Sequence, residues 1–219
     1  MSIDRVGFLL CMRPAEAEFF EVLLNGFQPA STRQVGSLVQ LRKEIDRIDG
    51  RVRLISFCSN FIVPAGVIAD LGGECFNFHP GPPERPGYRP AAFAAAEHAR
   101  SFGVTFHSMS AEADAGAIYA LRRFPVDDPA DEESIAVAAY GHLMWLAAEV
   151  ASRLGNPKHR FEHLPIAWGP TVTTRRDYLT LCSSRTERLA VAGSASGSAR
   201  LLAAMRRSDD ASGHSTKDG

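Results

Sequence analysis

Leu54-Ile55-Ser56-Phe57-Cys58 leads through Pro64 into Val67, Ile68 and Leu71, pauses at Gly72-Gly73, and resumes as Cys75-Phe76-Asn77-Phe78-His79. The first run, Leu54 to Cys58, is apolar on both faces, as a strand covered on both sides must be, and such strands belong to parallel sheets. Pro64 suits the first turn of a short helix, and the paired glycines stop it. Strand, helix and strand in that order make one crossover unit, right-handed where the two strands lie parallel in one sheet.

The same grammar extends in both directions. Upstream, Val6 to Cys11 is an apolar strand, and Pro14 with an acidic first turn opens a helix carrying Phe19, Phe20, Leu23 and Leu24, ended by Asn25-Gly26. Downstream come a Pro/Gly-rich loop from Pro80 to Pro90, an alanine-rich helix from Ala91 to about Ala99, and a strand from Val104 to Met109. A turn at Glu112 to Gly116 precedes a strand from Ala117 to Phe124. The spacing then predicts a long helix over Glu132 to Leu154, with Asp131 as N-cap, Gly155 as its end, and Ile135, Ala139, Leu143, Leu146, Val150 and Leu154 on one face. The expected fold is α/β: a doubly wound, mostly parallel, Rossmann-like sheet with helices on both faces and ligands beyond the carboxyl ends of its strands. Residues 1–155 are expected to form this domain, 156–192 an extension packed on it, and 193–219 a low-complexity, disordered tail with a short helix at Ala199 to Arg207.

Composition narrows the partners. In 219 residues, 24 Lys and Arg stand against 25 Asp and Glu, so there is no global positive field for a polyanion, which argues against nucleic acid. No uninterrupted apolar run approaches membrane-spanning length, and the start is acidic, so no membrane partner and a cytoplasmic location are expected. Cys11, Cys58, Cys75 and Cys182 are widely spaced without a C-x-x-C pair and are expected to be buried reduced thiols.

Alternate side chains share a face of a strand, so Asn77 and His79 point together while Phe76 and Phe78 pack on the other side. Pro80-Gly81-Pro82-Pro83 and Pro86-Gly87 make a stiff rim beside them, and Gly103-Val104-Thr105-Phe106-His107 and Asp114-Ala115-Gly116 supply a second polar edge. With Asn77-Phe78-His79-Pro80 ahead of these two, the chain resembles the formyltransferases that use 10-formyltetrahydrofolate, whose motif runs Asn-x-His-Pro, Gly-Val-Thr-x-His, then Asp-x-Gly. The resemblance spans roughly Val6 to Leu154 and implies the Rossmann-like formyltransferase fold. It implies Asn77, His79 and Asp114 as catalytic residues, and Ser59, Asn60, Phe61, Ile62 and Val63, with Glu112 and Ala113, as the residues holding the folate. The chemistry accounts for the residue types: an amine attacking a formyl carbon creates an oxyanion and sheds a proton, so Asn77 and a protonated His79 would donate to that oxygen while Asp114 supports the imidazole.

His107 is equally a pocket-lining residue or a packed sheet residue, and Arg85, Tyr88 and Arg89 on the rim are either substrate contacts or solvated loop. Phe57, Phe61, Phe76 and Phe78 are core residues. A zinc site from His79, His107 and Asp114 is disfavoured, because the close ligand spacings of zinc motifs are missing, and no metal is called for. No G-x-G-x-x-G follows the first strand, against a dinucleotide-binding domain.

The expected reaction is formyl transfer from 10-formyltetrahydrofolate to a small-molecule amine, an amino sugar nucleotide among the candidates, with a homodimer left open. Cys11-Met12-Arg13-Pro14 lacks the phosphate cradle of the purine-synthesis enzyme, and the roughly 65 residues after Leu154 do not resemble the tRNA-contacting domain of the methionyl-tRNA enzyme. Trp168-Gly169-Pro170 and Thr174 to Asp177 resemble segments after the catalytic core of shorter relatives. Pro-Gly after His79 replaces the family's frequent Pro-Ser. The alternatives are a formyltetrahydrofolate hydrolase or formyl-breakdown domain, and a non-catalytic folate- or nucleotide-binding module.

Overall fold

The computed structural model describes residues 6–26, 31–47, 51–59, 61–72, 74–127 and 129–191, with residues 185–191 described by backbone alone. The chain divides into two compact units, Met1–Thr173 and Thr174–Gly219. The expected helix at Ala199 to Arg207 and the low-complexity tail lie outside the described residues.

In chain order the first unit contains β1 (Val6–Cys11), α1 (Pro14–Asn25), β2 (Ser31–Val35), α2 (Leu38–Ile45), β3 (Arg51–Phe57), α3 (Ala65–Asp70), β4 (Cys75–His79), α4 (Pro90–Ala96), β5 (Ser101–Ser108), β6 (Ile118–Pro125) and α5 (Glu132–Gly155). The strands form one sheet in the order β2-β1-β3-β4-β5-β6. β1 pairs parallel with β2 and β3, and β3 parallel with β4, whereas β5 runs against both of its neighbours. The sheet is thus mostly parallel with one reversed strand. Of the second unit the structure describes α6 (Arg175–Val191), whose start is a capping box: the Thr174 hydroxyl accepts from the Asp177 N–H at 3.2 Å, and the Asp177 carboxylate accepts from the Thr174 N–H at 2.8 Å.

The pleat sorts the apolar residues into two cores. Phe8 and Leu10 of β1, Ile55 and Phe57 of β3, Phe76 and Phe78 of β4, and Val104 and Phe106 of β5 face α1, α4 and α5. Leu9, Cys11, Leu54 and Cys75 face α2 and α3 on the other side. The first core is rich in rings, with Phe20, Phe57, Phe78 and Phe106 in edge or tilted contact at 4.8 to 5.7 Å between centroids. Each ring buried this way is worth about 2 kcal/mol from area alone. At β4 and β5 the second face changes character, because its residues there are Asn77, His79, Thr105 and His107.

Two elements carried little sequence signal. β2, Ser-Thr-Arg-Gln-Val, is an edge strand whose only fully buried residue is Val35. α2 buries only Leu41 and Glu44, and its clearest mark is the Ser37 N-cap, which accepts from the Gln40 N–H at 3.3 Å. β3 also begins earlier than expected, at Arg51, because Arg53 is a charged residue inside a core strand and is 1% exposed. Cys58 differs from expectation too: β3 ends at Phe57 and the chain turns through φ 47° at Cys58, which leaves that residue exposed although burial still pushes its thiol up to about 11, whereas Cys11 and Cys75 are buried. α5 is long and apolar enough by composition to cross a membrane, with mean hydropathy 1.3, yet Ile135, Leu143, Leu146, Val150 and Leu154 pack into the first core.

Arg53 explains its own burial. Its Nε donates to Glu74 Oε2 at 2.6 Å, and its terminal nitrogens donate to the carbonyls of Leu154, Asn156 (2.9 Å) and His159 (3.2 Å). One guanidinium therefore caps the carboxyl end of α5, where the helix leaves carbonyls without partners. Glu74 also holds Arg51 and Arg160. Replacing Arg53 by Met, similar in length but unable to donate, removes the donor from the Leu154 and His159 carbonyls and leaves Asn156 only the His159 N–H at 3.1 Å. The expected cost is about 3 kcal/mol of unfolding free energy, measured as a lowered urea midpoint with an unchanged slope; a midpoint equal to wild type would contradict this role.

Candidate active site

The polar face of β4 and β5 owes its geometry to strand direction. Because β5 is antiparallel to β4, Asn77 lies directly opposite His107 and His79 opposite Thr105. The Thr105 hydroxyl donates to the Gly81 carbonyl at 2.8 Å and so ties the start of the rim loop to the sheet. After β5 the chain turns at 112–116, where Asp114 adopts φ 46°, a left-handed conformation that aspartate tolerates better than most side chains. The turn is tight: a Cβ on Gly116 would collide with the carbonyl of Ser108.

That turn delivers Asp114 to the strand pair. Its Oδ2 lies 3.2 Å from His79 Nδ1 and accepts from the Gly87 N–H at 2.8 Å, while Oδ1 accepts from Asn77 Nδ2 at 3.4 Å. His107 Nδ1 lies 2.7 Å from the Ser108 carbonyl, and its Nε2 lies 3.1 Å from Asn77 Nδ2 and 3.4 Å from Asp114 Oδ1. The Asn77 amide is held between His107 and Asp114, with an N–H toward the carboxylate. The structure thus brings Asn77, His79, His107 and Asp114 into one cluster, with the histidines 3% and 1% exposed.

Burial pushes the His79 imidazole below the ordinary histidine value, against the pull of the Asp114 carboxylate. At neutral pH the ring is therefore mostly neutral, whereas the sequence suggested a protonated His79. Both ring nitrogens face oxygens, since Nε2 lies 3.0 Å from the Arg85 carbonyl. The charged carboxylate is the stronger acceptor, so the single ring proton sits on Nδ1 toward Asp114 and leaves the Nε2 lone pair against a carbonyl. A proton arriving at Nε2 turns that contact into a hydrogen bond. For Asp114, burial would raise the carboxyl, but His79, then His107 and the Gly87 N–H outweigh it and hold the group down to about 2.

The remaining expected residues are placed as follows. The Ser59 hydroxyl donates to the Phe61 carbonyl at 3.2 Å and accepts from the Phe61 N–H at 3.3 Å, with Ile62 80% exposed and Val63 buried. Asn60 lies outside the described residues. Glu112 and Ala113 are exposed on the turn that carries Asp114. Arg85 meets His79 through its backbone carbonyl, while its guanidinium pairs with Glu97 at 2.6 Å. Tyr88 N–H donates to the Thr173 carbonyl at 2.8 Å, and Arg89 lies over the Tyr88 ring and pairs with Glu132. Phe57, Phe76 and Phe78 are core residues, and Phe61 packs half-buried on the second core. Among the described residues no group of three or more His, Cys, Asp or Glu is arranged to hold a metal ion.

Three participants were not legible from side-chain type. Two are backbone groups, the Gly87 N–H and the Arg85 carbonyl. The third is Trp168, whose indole N–H donates to the Gly116 carbonyl at 2.7 Å and whose ring meets His79 and His107 edge-on at 5.7 and 4.8 Å.

Both pKa shifts predict acid sensitivity of the same sign. A carboxyl held below its unfolded value of about 4 contributes stability above that pH and loses it as pH falls toward 2, and a histidine held below its unfolded value loses stability as pH falls through about 6.5. Asp114→Asn keeps the left-handed turn and removes the charge. It also removes the pull of the carboxylate on His79, so His79 of the variant is expected to titrate lower than in wild type when followed by NMR; an unchanged or higher titration would contradict the assignment.

No protein-family model matches the chain, and no curated protein sequence does. Solved structures do match. A sugar N-formyltransferase from a Shewanella species is 17% identical with a TM-score of 0.65, over 82% of this chain and 80% of that one. The formyltransferase PseJ from Anoxybacillus kamchatkensis, in complex with UDP-4,6-dideoxy-4-formamido-L-AltNAc and tetrahydrofolate, is 18% identical with a TM-score of 0.64, over 90% and 97%. An N-formyltransferase from Helicobacter canadensis, in complex with folinic acid and dTDP-3-aminofucose, is 16% identical with a TM-score of 0.58, over 80% and 72%. The chain has the fold of these formyltransferases.

Proposed function

We propose that the chain is a formyltransferase of one-carbon metabolism that moves the formyl group of 10-formyltetrahydrofolate onto the amine of a small molecule, an amino sugar carried on a nucleotide being the preferred class. The observation that carries this reading is the convergence of Asn77, His79 and Asp114, with His79 Nδ1 3.2 Å from the Asp114 carboxylate. The fold shared with proteins whose structures hold a folate together with a nucleotide-linked sugar supports the acceptor class. Ser59 to Val63, with Ile62 exposed, and Glu112 with Ala113 are the residues assigned to hold the folate; an exposed apolar side chain beside backbone groups suits a flat, hydrogen-bonding ring.

In this reading the acceptor nitrogen adds to the formyl carbon, the carbonyl π pair moves to oxygen, and the new C–N bond forms. Asn77 Nδ2 turns the hydrogen of its long 3.4 Å contact from Asp114 to that oxygen. Once the rim has drawn the Arg85 carbonyl off Nε2, His79 takes the proton of the attacking amine there, and Asp114 stabilises the resulting imidazolium through Nδ1. His79 then returns a proton to the departing folate nitrogen as the carbonyl re-forms. A neutral imidazole at rest suits this role, since it must accept before it donates. We place the activity in the cytoplasm, in keeping with Cys11, Cys58 and Cys75 carrying thiols rather than disulfides.

Purified protein incubated with 10-formyltetrahydrofolate and a panel of UDP- and dTDP-linked amino sugars is expected to release tetrahydrofolate and yield an acceptor heavier by one formyl group. His79→Ala should lower kcat by about a hundredfold to ten-thousandfold while folate affinity stays within about threefold of wild type. Release without any amine would point to hydrolysis instead. Folate binding without turnover would point to a binding module, and neither binding nor turnover would overturn the proposal.

A further inference from the structure

Trp168 lies on the segment that follows α5, far in sequence from the polar strands, yet it touches all three parts of the site. Its indole N–H holds the Gly116 carbonyl at 2.7 Å, two residues past Asp114, and its half-buried ring lies edge-on to both imidazoles. The same segment is laced to the rim loop. Gly169 N–H donates to the Pro83 carbonyl at 2.8 Å, Thr173 N–H to the Pro86 carbonyl at 3.0 Å, and the Thr173 hydroxyl to the Tyr88 carbonyl at 2.9 Å. The fit is close on the rim side: Gly87 has φ +100°, and a Cβ there would collide with the Thr173 carbonyl. Gly87 is also the residue whose N–H holds Asp114 Oδ2 at 2.8 Å. The strap at 168–173 therefore reaches Asp114 by two routes, through Gly116 and through Gly87.

We propose that Trp168 is a positioning residue of this site, fixing the Asp114 turn against His79 and keeping water from both imidazoles, which makes the 168–173 strap a working part of the reaction centre. The chemistry it serves rests on the formyl-transfer reading above; its geometric role does not. The groups facing His79 are Asp114 from the turn, His107 from β5 and the Arg85 carbonyl from the rim. Trp168 adds no charge, so it acts on the imidazole by excluding solvent, which lowers its pKa, and by holding Asp114, which raises it; burial is the larger effect and sets the sign. An uncovered ring returns toward the ordinary histidine value, and a site needing neutral His79 then loses activity at a higher pH.

The test compares wild type with Trp168→Ala, which removes cover and tether, and Trp168→Phe, which keeps a ring and loses the N–H. In ¹⁵N-histidine protein without substrate, His79 in the Ala variant is expected to titrate higher by about one pH unit, with the Phe variant close to wild type. In donor turnover with one fixed amine, the Ala variant should lose about tenfold to a hundredfold in kcat, with KM for the amine changed less than about threefold and the acid limb moved up. The Phe variant should restore the limb but not the full kcat. A folded Ala variant whose His79 titrates as in wild type overturns the proposal. If that variant does not fold, a Phe variant with wild-type kcat overturns it. A shifted titration in a protein without turnover on any amine leaves the positioning role standing and removes only the formyl-transfer reading.

Discussion

A buried carboxylate has to be satisfied at both oxygens, and most of the polar architecture of this chain serves Asp114 in that way. Its oxygens take partners from three separate segments: β4 supplies Asn77 and His79, β5 supplies His107, and the rim supplies the Gly87 N–H. These segments meet only because the sheet's second face changes from apolar to polar between β3 and β4. Without the negative charge, two imidazoles and an amide would crowd a dry space with no common acceptor.

The two ends of the strands do different work. Where β3 and β4 begin, Arg53 and Glu74 form an ion pair that also caps α5 and gathers the loop beyond it. Where β4 ends, Asp114 and His79 form a second buried pair in which one ring nitrogen has a lone pair against a carbonyl. The first pair is saturated with hydrogen bonds and is structural. The second leaves one position unfilled until a proton arrives, and the proposed chemistry is sited at that end. Arginine suits the first place because it stays charged under all conditions, and histidine the second because it does not.

Much of this was legible from residue order. Fully apolar runs with proline starts and glycine stops located β1, α1, α3 and β4, and the four-and-three spacing located α5. β2 and α2 were not legible, because an edge strand and a short surface helix each bury about one apolar side chain. Nor was the reversed direction of β5, since burial on one face and polar residues on the other look alike in either direction. Within the site, Asn77, His79, His107 and Asp114 stood out by type and spacing, but the Gly87 N–H and the Arg85 carbonyl carry no side-chain signature. Trp168 lies 61 residues beyond His107 in the chain, too far for any local pattern to connect them. The protonation of His79 also needed the structure, because it follows from burial and not from residue type.

The antiparallel pairing of β4 with β5 bears on how relatives of this chain can diverge. A single residue inserted in β5 ahead of Thr105 would turn Thr105 and His107 toward the phenylalanine core and bring Phe106 to the polar face. The rim is constrained differently: its length can vary only if one glycine still meets both the Asp114 carboxylate and the Thr173 carbonyl. Lineages of this fold should therefore accumulate gains and losses of residues around β2 and α2, while the stretch from β4 through β6 keeps its length and changes only in the outward side chains.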